Sequence, residues 1–215
     1  MLFQVRQGKV VTTGSDAQFA AARAEFRDHR LVRLPGFLSP ETLAQVRLGI
    51  DASGYLETGP EMTGKPAGPQ LGVYQGTNLA HDLRSGPTSR LFDEIVVDQE
   101  LLRGFERITG VPTLAPGKGR IFRILPSGVD LPWHDDTEQN RVLDLAVGLT
   151  WEPVSGGHFQ MRDPRTEAIF NDIPPLRPGD AILIQLSRDI EHHFAAVRGT
   201  VPLTIHSGKF APLAA

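Results

Sequence analysis

Apolar residues recur at helical spacing in the first half of the chain. In residues 15–29, a Ser/Asp pair signals a helix start, and Phe19, Ala22 and Phe26 would lie on one face. Residues 31–38 predict a short strand that runs into a turn. The segments predicted to be helical are 15–29, 39–54, 87–95 and 98–109.

Residues at the ends of these segments support the predicted boundaries. Ser39 is a good N-cap, and Pro40 stands in the first helical position, where the missing proline N–H costs nothing. Gly110 follows the last segment, where glycine commonly ends a helix.

Residues 54–80 interrupt the helical pattern with repeated glycine and proline. A connection of this length in a compact domain is usually either functional or disordered. We interpret it as a lid over an active site, to which it would contribute Tyr55, Met62, Tyr74 and Gln75. A surface loop without a function is the alternative.

The second half of the chain consists of short β-rich segments separated by Gly/Pro clusters. This pattern is typical of a β-sandwich or barrel. The predicted strands are 119–125, 142–151, 157–163, 180–186 and 201–207. We therefore expect a single, mainly β domain with N-terminal helices, in which residues 1–110 give helical support and the lid, and residues 111–215 form the β core.

Composition narrows the possible partners and the compartment. The 215 residues carry a formal net charge of −3, which gives no basic footprint for nucleic acid. No apolar run is long enough to span a membrane, and the N-terminal residues lack the features of a secretory signal. The absence of cysteine excludes disulfides and thiolate metal ligands. We expect a cytoplasmic protein with a small-molecule partner; its oligomeric state does not follow from the sequence.

The segment "WHDD" concentrates potential metal ligands after the strand at 119–125. In an extended chain His134 and Asp136 would point to one face and Asp135 to the other. A third ligand could come from the histidine pair in residues 190–199, which we expect to lie between two strands. Two histidines and one carboxylate leave three positions open on an octahedral ion, which suits Fe(II) with a cosubstrate and dioxygen.

These segments resemble the double-stranded β-helix 2-oxoglutarate/Fe(II)-dependent dioxygenases, particularly prolyl-hydroxylase-like and phytanoyl-type hydroxylases. The His-x-Asp pair of that family is matched by residues 134–136, and its distal histidine motif selects His192 rather than His193 as the third ligand. The resemblance implies a jelly-roll, cupin-like core that binds Fe(II) through His134, Asp136 and His192. The other segments that are similar to the family are 31–46, 123–128, 156–159 and 176–184.

One expected feature of that family is missing. An arginine about ten residues after the distal histidine usually binds the far carboxylate of 2-oxoglutarate, but Pro202 stands there, with Thr204 in the place of the usual serine. Because the alternate residues Pro202, Thr204 and His206 form the more polar face of their strand, we expect that face to point into the barrel. The candidates for cosubstrate binding are Arg120, Thr204, His206 and Arg198, with Arg141 and Lys209 as further cations.

The resemblance implies a hydroxylase that uses Fe(II), 2-oxoglutarate and dioxygen. Asp136 supports hydroxylation, or a related desaturation or cyclisation, since halogenating relatives replace this carboxylate with a small residue. The favoured substrate is a small polar metabolite, such as an amino acid or natural-product precursor, followed by a peptide side chain. Trp133 and Trp151 are interpreted either as pocket walls or as core residues.

Two other functions remain open from the sequence. A cupin-like barrel could bind another divalent metal and act as an isomerase or lyase without oxygen. Alternatively, the chain could be a binding module that has lost catalysis, in which the triad holds a structural ion or nothing.

Overall fold

The computed structural model describes residues 1–52, 56–57, 80–83 and 86–213. Most of the predicted lid lies outside the described residues, including Tyr55, Met62, Tyr74 and Gln75.

Four helices form where the apolar spacing predicts them: α1 (Asp16–His29), α2 (Pro40–Asp51), α3 (Pro87–Val96) and α4 (Gln99–Thr109). The side chain of Ser15 caps α1 by accepting from the N–H of Gln18, and Ser39 caps α2 in the same way. Gly110 ends α4 with a φ of 76°, a left-handed conformation that glycine adopts without strain. None of the helices in the described ranges is long and apolar enough to cross a membrane.

The strands are short and mostly antiparallel. In chain order they are β1 (Phe3–Arg6), β2 (Lys9–Thr12), β3 (Leu31–Leu34), β4 (Leu56–Glu57), β5 (Ala80–Leu83), β6 (Lys118–Ile124), β7 (Leu143–Gly148), β8 (Ser155–Gly156), β9 (Phe159–Arg162), β10 (Ile169–Ile173), β11 (Ala181–Gln185), β12 (Glu191–Phe194), β13 (Val197–Arg198) and β14 (Leu203–Phe210).

Two sheets form the β core. The larger sheet has the strand order β3-β11-β7-β14-β6-β5-β4, so the helical half of the chain contributes three of its strands. The smaller sheet has the order β10-β9-β12, and His134 extends it through an isolated antiparallel bridge to His192. Between the sheets lies an apolar cluster that includes Ile205 from the large sheet and Met161 from the small one.

The helices cover the opposite face of the large sheet through a second apolar cluster. At its centre, Phe105 of α4 packs edge-on against Phe3, with ring centroids 5.9 Å apart, and against Phe210, at 5.4 Å. The large sheet is therefore buried on both faces, by the small sheet inside the barrel and by the helices outside.

Several strands were not recognised from the sequence. The strands β1 and β2 have four residues each and β10 has five, which is too short for a clear period-2 pattern. The expectation that the histidine pair lies between two strands was wrong, because His192 and His193 are part of β12. Its sequence, EHHF, has no apolar alternation, and its pairing with β9 decides its conformation.

Candidate metal centre

The backbones of His134 and His192 bring two distant imidazoles side by side. The N–H of His134 donates to the carbonyl of His192 at 3.1 Å, and the N–H of His192 donates back at 2.9 Å. Residues paired in this way are neighbours on one face of the sheet, and the ring centroids lie 4.5 Å apart.

Asp136 completes the cluster by a turn of the backbone. Its φ of 55° lies in the left-handed region, which aspartate tolerates better than most residues. This turn places Oδ2 of Asp136 3.3 Å from Nε2 of His134 and 3.4 Å from Nε2 of His192. The expected alternation of an extended chain is therefore not what orients Asp136. Asp135 points elsewhere and accepts from the N–H and hydroxyl of Thr137, both at 3.0 Å.

The three residues together can offer a metal ion one ligand atom each. These atoms all lie within 4.8 Å of one another. The side chain of His134 is 27% exposed, whereas that of His192 is 5% exposed. The centre is thus open to solvent on the side of His134 and closed on the side of His192.

Both imidazoles can present a lone pair to the centre. Nδ1 of His134 lies 2.8 Å from the carbonyl oxygen of Pro132. A carbonyl only accepts, so Nδ1 carries the proton and Nε2 of the neutral ring is left as a metal ligand. Burial and the neighbouring His134 together lower the pKa of His192 to about 4, so His192 is neutral at neutral pH.

Asp136 is the negative charge of the cluster. Burial by itself would raise the pKa of this carboxyl, but the facing imidazoles of His134 and His192 and the charge of Lys209 lower it well below its usual value. The Nζ of Lys209 contacts Oδ2, the oxygen that also faces both histidines.

Lys209 belongs to a polar group on the inner face of the large sheet. Its cross-strand neighbour on β7 is Asp144, a buried carboxylate. The hydroxyl of Ser207 lies 3.0 Å from each oxygen of Asp144. Burial and the charge of Asp136 raise the pKa of Asp144, and the charge of Lys209 opposes them; the resulting pKa is about 6.

Asp144 and Ser207 were not predicted from the sequence to lie beside the metal centre. Asp144 interrupts an otherwise apolar strand, "LDLAVG", and a lone acid in such a strand is a signal that could have identified it. We find no comparable signal for Ser207.

Two candidates for cosubstrate binding lie on the wrong side of the sheet. His206 stacks on Phe92 of α3, with ring centroids 4.2 Å apart, and Thr204 alternates in phase with it. Leu203 and Ile205 belong to the apolar cluster between the sheets instead. The expectation that Thr204 and His206 point into the barrel was therefore wrong, because the face of β14 that carries them is covered by the helices.

Arg120 and Arg198 differ in orientation. Arg120 pairs with Ser207 across β6 and β14, and its guanidinium lies 5.6 Å from the ring of Phe122, which packs against the interior cluster. It is therefore on the inner face, and because its side chain is nevertheless exposed, it lies at an open end of the barrel. Arg198 is exposed and follows Val197, which belongs to the interior cluster, so Arg198 points outward.

Two further histidines, His158 and His193, and both tryptophans lie outside the barrel. Nδ1 of His193 is 2.8 Å from the carbonyl of Leu131, and its ring stacks on Trp133 with centroids 3.7 Å apart. His158 is partly exposed and pairs with Asp172. The other tryptophan, at position 151, packs against the cluster on the helical side. Neither tryptophan therefore walls the barrel interior.

Comparison with solved structures identifies the fold. A 2OG-Fe(II) oxygenase family oxidoreductase from Burkholderia pseudomallei aligns over 98% of this chain and 95% of its own, at 16% identity and a TM-score of 0.65. The chain has the fold of the 2OG-Fe(II) oxygenases. The epimerase SnoN from nogalamycin biosynthesis aligns over 92% of this chain and 84% of its own, at 16% identity and a TM-score of 0.66.

A Pseudomonas putida prolyl-4-hydroxylase aligns over 91% of this chain and all of its own, at 16% identity and a TM-score of 0.60. No protein-family model matches the sequence, and no curated protein matches it. The predicted double-stranded β-helix with supporting helices is thus confirmed.

Proposed function

We propose that this protein is an Fe(II)- and 2-oxoglutarate-dependent dioxygenase that hydroxylates an unactivated C–H bond of a small polar metabolite. The observation that carries the proposal is the convergence of His134, Asp136 and His192 between the two sheets of an oxygenase fold. Two imidazoles and one carboxylate are a ligand set that suits Fe(II) and leaves room for reactants.

The chain's own residues prepare the centre before any metal enters. Pro132 fixes the tautomer of His134, burial keeps His192 neutral, and Asp136 supplies one negative charge. When bound, Fe(II) with 2-oxoglutarate and dioxygen supplies the oxidising power for C–H cleavage. The two sheets exclude water from the side of His192 and leave the side of His134 open for the substrate.

Arg120 is the best candidate to bind the far carboxylate of 2-oxoglutarate. It lies on the inner face beside Ser207, and a guanidinium matches a carboxylate with two parallel hydrogen bonds. Arg120 pairs with Ser207 in the second half of β14, whereas the position that the resemblance implies, Pro202, comes just before the first residue of β14. The cosubstrate would therefore lie at the end of the barrel where Arg120 is located.

The proposed substrate class is supported by a solved structure that shares this fold. SnoN is described as an epimerase of nogalamycin biosynthesis, so this fold is used on natural products, and also for outcomes other than hydroxylation. A small polar metabolite is proposed first and a peptide side chain second. The cytoplasmic location and the division at residue 110 stay predictions from the sequence.

Anaerobic titration tests the proposal directly. The metal-free protein receives Fe(II) and then 2-oxoglutarate, and the visible charge-transfer band of the keto-acid chelate is recorded. The band should form in the wild type and be lost in Asp136→Ala. His158→Ala, which removes an imidazole outside the barrel, is the matched control and should keep the band. Failure of the wild type to form it would refute use of this cosubstrate.

One observation favours a second candidate function. The barrel interior near the first residues of β14 is apolar, since Ile124, Leu203 and Ile205 of the large sheet line it. A cupin-like isomerase or lyase that uses a divalent metal would not need a cation in this part of the interior, because it binds no 2-oxoglutarate carboxylate. It predicts metal-dependent turnover under anaerobic conditions, whereas the oxygenase predicts succinate formation only with oxygen.

A further inference from the structure

Lys209 occupies the place beside Asp136 that a metal ion would compete for. Its ammonium contacts Oδ2, the oxygen that lies 3.3 Å from His134 Nε2 and 3.4 Å from His192 Nε2. A cation bound by these three residues would take the same oxygen. It would also place two positive centres beside one carboxylate, where they repel each other.

Asp144 is a second carboxylate within the same polar group. It stands directly opposite Lys209 in the register of β7 and β14, and both side chains are on the inner face. The hydroxyl of Ser207 lies 3.0 Å from both of its oxygens, yet a hydroxyl has one proton to donate. The carboxylate therefore has acceptor capacity left, and it is buried.

We propose that Lys209 is an exchangeable counter-ion, which pairs with Asp136 in the metal-free protein and transfers to Asp144 when a divalent cation binds the triad. The proposal rests on the metal site of the proposed function, but not on its cosubstrate or reaction. The exchange leaves Asp136 with a cation in both states. It also gives a cation, when the metal is bound, to the buried Asp144, which among the described residues has only the Ser207 hydroxyl as a hydrogen-bond partner in the metal-free protein. Unpaired buried charge is what a protein interior tolerates least.

The exchange gives each residue a distinct effect on metal affinity. Lys209 competes with the metal for Asp136, so its removal should tighten metal binding. Asp144 accepts Lys209 only when the metal is bound, so its neutralisation should weaken metal binding. Because Asp144 acts through Lys209, its effect should vanish when Lys209 is absent.

The experiment measures Co(II) affinity, by its visible absorption, in the full-length protein. Lys209→Met should bind Co(II) about fivefold more tightly, the factor expected for one partly buried ion pair. Asp144→Asn should bind it about fivefold more weakly. The double variant should match Lys209→Met. Lys209→Gln repeats the test with a polar side chain, and thermal unfolding checks that each variant is folded.

Lys118→Met is the matched control. Lys118 pairs with Lys209 across β6 and β14, so its removal takes away the same charge at the same end of the barrel. It should leave Co(II) affinity within twofold of the wild type. An equal gain in Co(II) affinity in Lys118→Met would show that any positive charge at this end of the barrel weakens metal binding. That result would overturn the exchange.

The remaining outcomes separate the exchange from the proposed reaction. Unchanged or weaker Co(II) binding in Lys209→Met overturns the exchange, even if the keto-acid band forms. An effect of Asp144→Asn that persists without Lys209 also overturns it. The expected Co(II) affinities without a keto-acid band would uphold the exchange and refute the use of 2-oxoglutarate.

Discussion

His206 should make the folded protein less stable in acid. Replacing His206 with leucine should remove this effect. His206 is 1% exposed and stacks on Phe92. Neither ring nitrogen has a hydrogen-bond partner among the described residues. Burial therefore lowers the pKa of His206 to about 3, because the protonated ring has lost its hydration without gaining a partner.

The size of the effect follows from proton uptake by the unfolded chain, where the ordinary pKa is 6.5. Because the folded-state pKa of His206 is the lower one, stability is present above pH 6.5 and is lost progressively as the pH falls towards 3. Between pH 7.5 and pH 5.0 this one group should lower the free energy of unfolding by about 2 kcal/mol. Leucine binds no proton and should lack this loss.

Urea unfolding of both proteins at pH 7.5 and pH 5.0, with a chelator present, measures the difference. The other histidines titrate in both proteins, so their contribution cancels. The stability of the wild type relative to His206→Leu should fall by about 2 kcal/mol between the two pH values, whatever leucine does to the packing. A relative stability that is the same at both pH values would refute the reasoning, since His206 would then be solvated or partnered in the folded protein.

Three further predictions concern the core and the metal centre. Phe105→Ala should lower the free energy of unfolding by about 3–5 kcal/mol, measured by chemical denaturation, because it leaves a cavity between two aromatic neighbours. Saturating Co(II) should raise the thermal unfolding midpoint of the wild type but not that of Asp136→Ala, since the ion binds only the folded protein and needs all three ligands. Arg120→Gln should raise the 2-oxoglutarate concentration at half-maximal keto-acid absorbance by about tenfold, the effect of losing one charge-assisted contact. Arg198→Gln, an outward-facing control, should leave that concentration unchanged.

Local signals in the sequence were sufficient to predict the helices and to recognise the two segments that carry the candidate triad. The cap at Ser15 and the spacing of Phe19, Ala22 and Phe26 determine α1 because they depend on residues within a few turns of one another. The two parts of the candidate triad could be recognised for a similar reason, since each is a short motif beside a predicted strand. The fold class also followed, since short strands with Gly/Pro punctuation have few ways to bury one face.

Tertiary structure decided which face of β14 points into the barrel. Alternation separates Leu203 and Ile205 from Thr204 and His206, but all four are buried, between 1% and 3% exposed. A strand covered on both faces has no polar side to reveal its orientation. The packing of Phe92 against His206 shows that the helices cover the second face.

Tertiary structure also decided the partners of Asp136. The sequence predicted one face for His134 and Asp136, yet a left-handed turn at Asp136 is what orients the carboxylate. Lys209 reaches it from 73 positions further along the chain, on a strand whose register with β7 also places Asp144 opposite. Such contacts depend on strand pairing and on the closing of the barrel, which are set by the whole chain and by no local segment.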